Sequence, residues 1–400
     1  MGFARAFRRR VYEPMDGPTV DGPGSVVWAA GTHWDGVEGT DRRMATALSR
    51  DGHAVTWVDP PGPSPRWWTG RSAGSVRRED GVEVRGLIVL PGFSRPVIRH
   101  DTVARATRRT RLALPPHPDR ASVVVASALT RIPRRISGRK RVLFITDDWV
   151  AGAALMGLSP RFILRTVCVN ISRADDIVVV SPALEDRVRL WWTEHSRPRE
   201  GRKPLPPIHV IPNGAPSIDT GGCEASREPR AVLVGQINAR TDLELLAAVL
   251  AAGIPTTVVG PLTEPDETFR ARWAELSADP LLDWRGRVPA AEVSRYLRTA
   301  SVGLTPYAKS TFNTSSSPLK TMEYLAAGLR VVSSDLPASR LIGAPTVLVA
   351  NTPADFADAV CAVIEGRAGS VSSDESRAVA EQNSWAVRSA QFAAILTERQ

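Results

Sequence analysis

Two charged side chains near the start of a predicted helix could together bind a phosphate and a diol. They are Lys320 and Glu323, in "TSSSPLKTMEYLAAGLRVVSSD", residues 314–335. A lysine in the first turn opposes the helix dipole by about 0.3–1 kcal/mol, and lysine before glutamate is the weaker order for an ion pair. A phosphate bound at the helix start would make the lysine favourable, and Glu323 could then accept hydrogen bonds from a ribose. The alternative is a solvated ion pair on an exposed helix face.

Local signals place this helix at about 318–327. Ser317 is a suitable N-cap, Pro318 suits the first helical position, and Gly328 suits the position that follows the last helical residue. The lysine and the glutamate then share one face, while the apolar side chains form a stripe toward the core.

The elements that would position this helix alternate between short β-rich runs and helical segments, in two series. Strand–helix–strand succession predicts parallel sheets, so the sequence predicts an α/β protein with two doubly wound Rossmann-like domains that face an interdomain cleft. Ligands of such sheets bind at the carboxyl ends of the strands. The predicted parts are a flexible basic arm (1–24), a first domain (25–215), a linker (216–229), a second domain (230–375) and a C-terminal helix (376–400) that returns to the first domain.

Charge is uneven along the 400 residues, whose formal net charge is +9. Residues 1–200 carry 32 Lys and Arg against 21 Asp and Glu, whereas residues 201–400 carry 19 against 21. A basic half can face an anionic membrane surface or an acidic substrate, and it can also reflect an arginine-rich genome. The aromatic and glycine pattern of RNA-binding modules is absent, so no nucleic-acid partner is expected.

Several function classes lack their motifs. The chain has no G-x-G-x-x-G after its first strand, no P-loop, no G-x-S-x-G elbow and no H-E-x-x-H. Its 3 cysteines are far apart, which predicts a reducing cytoplasm and no zinc site. No apolar run reaches the ~18 residues of a membrane helix, and no secretory signal is expected.

The helix segment "SPLKTMEYLAAGLRVVSSD" resembles the donor-binding motif of GT-B glycosyltransferases of the family-4-like group. Three further stretches resemble that family in order and spacing: "DDIVVVSPALEDRV" (175–188), "IHVIPNGAP" (208–216) and "RAVLVGQINARTDLELL" (230–246). The opening "HWDGVEGTDRRMATALSRDGHAVTWVDPP" (33–61) is similar to bacterial exopolysaccharide and teichuronic-acid-type enzymes, although this half is less specific. The three inner stretches and the helix segment cover about residues 140–350.

The resemblance implies that the second domain binds a nucleotide diphosphate sugar. Glu323 then corresponds to the glutamate that holds the ribose, Lys320 to a cation beside the diphosphate, and Gly235 to the glycine at the phosphates. Arg240 is a candidate second cation, with an exposed loop arginine as the alternative. The remaining predicted donor-side residues are Ser317, Leu319 and Tyr307. The donor is a substrate, and neither a cofactor nor a metal is expected.

The chain departs from the family pattern at one position. The family has a further glutamate eight residues before the one that corresponds to Glu323, and Ser315 stands there in this chain. The "P-L-K" subgroup includes proteins similar to the inverting glucuronosyltransferase of xanthan assembly, and an inverting enzyme needs a general base. Asp147 and Asp148 follow a strand whose end should face the cleft. We expect one to act as base, with Asp148 preferred, and helix capping is the alternative for both.

Acceptor-side candidates follow the first strand, in the loop "THWDG" and at the start of the next helix. They are His33, Trp34, Asp35 and Arg42.

The sequence therefore predicts a glycosyltransferase that moves a sugar from a nucleotide diphosphate onto a glycan, lipid-linked or small-molecule acceptor. Cell-surface polysaccharide biosynthesis is the expected context, in the cytoplasm and at the inner face of the membrane. The alternatives are a nucleotide-sugar 2-epimerase and a non-catalytic partner subunit of a glycosyltransferase.

Overall fold

The computed structural model describes most of the chain in two α/β units. The described residues are 24–36, 38–60, 76–86, 98–115, 121–134, 140–153, 157–195, 204–217 and 227–398. The predicted basic arm, except for its last residue, and most of the predicted linker lie outside the described residues.

The first unit is built on one sheet. Its strands are β1 (Ser25–Ala29), β2 (Ala54–Val58), β3 (Val76–Glu79), β4 (Val82–Arg85), β5 (Ala121–Val125), β6 (Arg141–Ile145), β7 (Asp176–Val179) and β8 (Ile208–Val210). Its helices are α1 (Thr40–Arg50), α2 (Ile98–Leu112), α3 (Pro160–Ile171) and α4 (Pro182–His195). The strand order is β3-β4-β2-β1-β5-β6-β7-β8.

The second unit also has one sheet. Its strands are β9 (Glu228–Val234), β10 (Thr256–Val259), β11 (Leu282–Gly286), β12 (Ala300–Thr305), β13 (Arg330–Ser334) and β14 (Val347–Ala350). Its helices are α5 (Leu243–Ala251), α6 (Glu267–Ser277), α7 (Ala290–Thr299), α8 (Thr311–Ser315), α9 (Leu319–Ala326), α10 (Pro337–Ile342) and α11 (Pro353–Ile364). The strand order is β11-β10-β9-β12-β13-β14.

The predicted α/β class is confirmed. Every strand pair of the second sheet is parallel, and central strands such as β5, β7 and β13 are buried along their whole length. Burial on both faces is what helices on both sides of a parallel sheet require. The β3–β4 hairpin is the antiparallel exception. It was not predicted, because β3 reads "VRRE" and lies exposed at the sheet edge.

The chain passes between the two units twice, near Ala215 and near Asn383, and the two crossing segments are hydrogen-bonded to each other. Ala215 donates to the carbonyl of Asn383 at 2.8 Å, and Trp385 donates back to Ala215 at 3.1 Å. Helix α12 (Ser373–Gln382) packs on α9, whereas α13 (Trp385–Thr397) packs on α1 of the first unit. The predicted boundary at 376 therefore falls inside α12, and the return to the first unit begins after that helix.

The last helix joins the core of the first domain. Phe392 contacts Trp28 and Phe144, with ring centroids 5.7 and 5.4 Å apart, and all three side chains are fully buried. In the described part of the chain, no helix has the length and apolar character needed to cross a membrane.

Candidate active site

Glu323 lies in the cleft between two cations that come from different domains. Its Oε2 accepts from Lys320 Nζ at 2.6 Å, one turn earlier on α9. Its Oε1 accepts from Arg43 Nη2 at 2.7 Å, on α1 of the first domain. The residue is only 8% exposed. Burial alone would raise the pKa of Glu323, but Lys320 and Arg43 outweigh burial and lower it, so the carboxylate is charged at neutral pH.

The start of α9 is free of any side-chain cap, and this differs from the prediction. Pro318, not Ser317, is the N-cap residue, and the helix begins at Leu319. Ser317 Oγ instead accepts the backbone N–H of Asn213 at 3.1 Å, which ties the helix to the crossing segment. Leu319 packs against the first domain's core. Because no side chain caps the helix, its first-turn N–H groups can receive an anion.

The carboxyl end of β9 has a backbone conformation that suits glycine. Gly235 has φ +154, and a Cβ built there would meet no atom within 4 Å, so the backbone borders open space. Behind it, a Cβ on Gly260 would lie 1.7 Å from the carbonyl oxygen of Gly235, so β10 must also turn at a glycine. A ligand can therefore approach the Gly235 backbone closely.

A buried tyrosine holds α9 against this glycine turn. The Tyr324 hydroxyl accepts the N–H of Val234 at 2.7 Å, and the side chain is fully buried. Burial raises the pKa of Tyr324 well above its usual range. Our sequence prediction did not select this residue, because an aromatic side chain within a helix is usually a packing residue.

Arg240 is held rigidly over two aromatic rings. Its Nε donates to Asn313 Oδ1 at 3.0 Å, and Asn313 Nδ2 donates back to the Arg240 carbonyl at 3.1 Å. The guanidinium carbon lies 4.8 Å from the centroid of Phe312 and 5.7 Å from that of Tyr307. Burial raises the pKa of Tyr307, so that ring is neutral. Arg240 is therefore fixed in place rather than a free loop arginine.

The two aspartates after β6 have different environments, and the preference for Asp148 as base does not fit its contacts. Asp148 is fully buried, and its Oδ1 accepts the N–H groups of Val150 and Ala151 at 3.1 and 2.8 Å. Its Oδ2 accepts from Arg187 Nε at 2.9 Å. Asp148 therefore caps the following turn, and its complete burial keeps it away from an acceptor hydroxyl in the cleft.

Asp147 instead has the properties of a base. Burial raises its pKa to about 6, with Asp41 as a further raising influence, while Arg240 and a hydrogen bond with Ser316 oppose the rise. Arg240 and Ser316 belong to the second domain, so Asp147 faces it across the cleft. A carboxylate with a pKa near 6 is largely ionised at neutral pH and is basic enough to take a proton.

The predicted acceptor-side residues fall into two groups. His33 and Asp35 are exposed at the loop, and Asp35 pairs with Arg77 at 2.5 Å. Trp34 is fully buried and donates to Glu79 at 2.7 Å, so it cannot face an acceptor.

Arg42 is occupied by the same loop. It lies over the Trp34 ring, 4.4 Å from the centroid, and donates to the Trp34 carbonyl at 2.6 Å. The cation that reaches the cleft from α1 is its neighbour Arg43, whose Nε and Nη1 are buried without a hydrogen-bond partner.

Ser315, which stands where the family pattern has a second glutamate, is buried between the domains. Its carbonyl accepts from Ser181 Oγ of the first domain at 2.6 Å. The serine side chain supplies no carboxylate at this position. Among the residues that the structure describes, no group of three or more His, Cys, Asp and Glu side chains could hold a metal ion.

Fold and site together define a two-domain protein with the GT-B architecture, in which Tyr324 links the uncapped helix α9 to the glycine turn at the carboxyl edge of the second sheet. Residues 228–366 match the family model described as "Glycosyl transferases group 1". The match lies within the second domain, which is therefore similar to glycosyltransferase group 1 domains.

One curated relative and several solved structures are similar to the chain. The relative is "Putative teichuronic acid biosynthesis glycosyltransferase TuaH" of Bacillus subtilis (strain 168), 28% identical over 232 residues. The match covers 54% of this chain and 55% of the relative, so it spans about half of the relative's length.

The structural similarity extends over both domains. A sucrose-phosphate synthase from Thermosynechococcus elongatus superposes with a TM-score of 0.67 at 16% identity, covering 93% of this chain and 98% of that one. The Anabaena protein HepE, solved with UDP and glucose, gives 0.61 at 11% identity, covering 94% and 100%. These similarities establish the GT-B fold.

Proposed function

We propose that the protein is a glycosyltransferase that moves a sugar from a nucleotide diphosphate onto a glycan, lipid-linked or small-molecule acceptor. The carrying observation is the buried, ionised Glu323 beside the uncapped start of α9. Glu323 can accept hydrogen bonds from a diol one helical turn from N–H groups that can bind an anion, and a ribose next to its diphosphate offers both groups. The group 1 domain and the similarity to TuaH support transfer rather than epimerisation.

The donor would lie along the carboxyl edge of the second sheet. Glu323 would accept hydrogen bonds from the ribose hydroxyls. Lys320, the first-turn N–H groups of α9 and the open backbone at Gly235 would bind the diphosphate. Arg240, which is held near Asp147, would add a second cation beside the departing phosphate. These cations can stabilise the leaving group without a metal.

The transfer step would use Asp147 as the base. Its carboxylate takes the proton of an acceptor hydroxyl while that oxygen bonds to the anomeric carbon of the donor sugar. The bond from that carbon to the diphosphate breaks, and the nucleoside diphosphate leaves with the electron pair. Because Ser315 offers no carboxylate on the donor side, we infer a single displacement with inversion.

The relative's name associates it with teichuronic acid biosynthesis. By analogy, we infer a role in cell-surface polysaccharide biosynthesis. The uronic-acid context, together with the basic first half of the chain, favours an acidic glycan or a lipid-linked precursor as acceptor. Such a reaction would take place in the cytoplasm, at the inner face of the membrane.

A thermal-shift screen against UDP, GDP and dTDP sugars tests the donor site, since a bound ligand raises the melting temperature by mass action. The hit should lose its shift in Glu323→Gln and keep it in Glu292→Gln, which removes an exposed charge from α7. Transfer of the labelled sugar to extracted glycan precursor then tests the activity. If no nucleotide sugar binds the wild type, the proposal is wrong.

A further inference from the structure

One face of the first domain carries many arginines and hardly any carboxylates. The described stretches 98–115, 121–134 and 157–174 contain ten arginines and one acidic residue, Asp101. We call the following eight the arginine face: Arg105, Arg108, Arg111, Arg131, Arg134, Arg161, Arg165 and Arg173.

Helices α2 and α3 meet at their first turns on this face. The Arg99 guanidinium lies 4.6 Å from the ring centroid of Phe162 on α3, and the ring of His100 lies 5.9 Å from it. The loop after β5 fills the space between the helices. There the N–H of Arg131 donates to Thr107 on α2 at 3.2 Å, and Arg173, just after α3, donates to the Ile132 carbonyl at 2.8 Å.

The arginines occupy the outer side of both helices. On α2, residues 102, 103, 106 and 110 are buried, whereas Arg105, Arg108 and Arg111 are exposed at intervals of three. On α3, Arg161 and Arg165 are exposed one turn apart. Such spacing aligns the charges in a stripe along each helix.

Within the part of the chain that the structure describes, most of these charges have no carboxylate beside them. Among the described residues, the ion pair on this face is Arg105 with Asp101. Burial lowers the pKa of Arg131, and Arg165 and Arg134 lower it further. Burial likewise lowers the pKa of Arg173, with Arg134 and Arg131 adding to the effect. Mutual repulsion destabilises the free protein and would be relieved by a bound anionic partner.

We propose that the arginine face docks the protein on an anionic lipid surface. The face is a broad two-helix surface rather than a pocket, which suits a planar partner. Leu112, 61% exposed at the end of α2, can enter the headgroup region beside the arginines. No large aromatic side chain among the described residues of this face is exposed, whereas single-stranded nucleic acid is usually bound by aromatic stacking.

This inference rests on the proposed function in one respect: a lipid-linked acceptor would keep the enzyme at the membrane. The electrostatic argument itself does not depend on the acceptor. Each arginine near an anionic leaflet contributes about 1 kcal/mol, and salt weakens the attraction. Several arginines together therefore suffice for reversible binding.

Sedimentation of the full chain with vesicles tests the proposal. Phosphatidylglycerol–phosphatidylcholine vesicles should bind the protein, and pure phosphatidylcholine vesicles should not. The double variant Arg134→Glu/Arg165→Glu should lower the partition coefficient at least about tenfold. The matched variant Arg295→Glu/Arg298→Glu, which reverses two exposed charges on α7 of the second domain, should bind like the wild type.

Three outcomes would overturn the proposal: equal binding to both kinds of vesicle, equal loss in the two double variants, or preference for a DNA or RNA oligonucleotide over anionic vesicles. Thermal unfolding and nucleotide binding of both double variants check that each is folded. Vesicle binding needs neither donor nor acceptor. A negative vesicle experiment therefore does not contradict the proposed donor site, and a negative nucleotide-sugar screen does not contradict vesicle binding.

Discussion

Arg43 on the first domain donates to Glu323 on the second domain at 2.7 Å, across the cleft. The side chains are 15% and 11% exposed, so the pair is largely desolvated. Glu323 is also the proposed partner of the donor ribose. The ion pair therefore links the two domains through the carboxylate that a nucleotide needs, and a ribose must share or displace the arginine.

The first prediction concerns this competition. Arg43→Gln should tighten binding of the nucleoside diphosphate several-fold, because Glu323 then no longer pairs across the cleft. The same variant should lower the melting temperature of the ligand-free protein, since it removes a link between domains. Titration calorimetry measures the first effect and calorimetric unfolding the second. Unchanged nucleotide affinity would mean that Arg43 remains on Glu323 when the ribose binds.

Lys320 offers a test that separates the diphosphate from the nucleoside. Lys320→Met should weaken binding of the nucleoside diphosphate by about tenfold or more, because a charge-assisted hydrogen bond is worth about 1.5–3 kcal/mol. Binding of the uncharged nucleoside should change much less. Arg298→Met, which removes an exposed cation from α7, is the control. Equal losses for nucleoside and diphosphate would place Lys320 away from the phosphates.

The hydrogen bond between Tyr324 and Val234 gives a third prediction. Tyr324→Phe leaves a buried N–H without its acceptor, which should cost about 1–3 kcal/mol of unfolding free energy. It should also weaken donor binding, because α9 and the glycine turn lose their direct link. Denaturant unfolding and the thermal-shift assay measure the two effects. Tyr296→Phe on α7 is the control, and a similar loss there would argue against a specific role for Tyr324.

The sequence predicted the donor helix well because its signals are local. Helix α9 was expected at 318–327 and spans Leu319–Ala326. The assignment of Ser317 as its cap was wrong. Its hydroxyl binds Asn213, which lies 104 residues away, and no local propensity reports a contact of that range.

Residues whose role depends on contacts between the domains were harder to predict. Asp147 and Asp148 are adjacent in sequence, and only the position of Arg187 and of the second domain separates their roles. Arg42 and Arg43 pose the same problem: they are adjacent and point about 100° apart around α1. That difference decides which guanidinium meets Trp34 and which meets Glu323.

Asp147 gives the last prediction, in which activity and stability change in opposite directions. Its pKa of about 6 lies above the ordinary value of 3.8, so the folded state binds its proton more tightly than the unfolded chain. The associated stability is fully present below pH ~4 and is lost as the pH rises through about 6. Above pH 7, Asp147→Asn should therefore raise the free energy of unfolding by roughly 1–2 kcal/mol, after allowance for partial exposure, and should unfold at a higher temperature.

The same substitution should lower transfer by about 100-fold or more, because it removes the general base. In the wild type, transfer should fall as the pH drops below about 6, as Asp147 becomes protonated. Glu185→Gln on α4 is the control, and it should leave both the rate and the stability–pH curve nearly unchanged. A stabilised Asp147→Asn that still transfers sugar at the wild-type rate would show that the burial is real and that the base lies elsewhere.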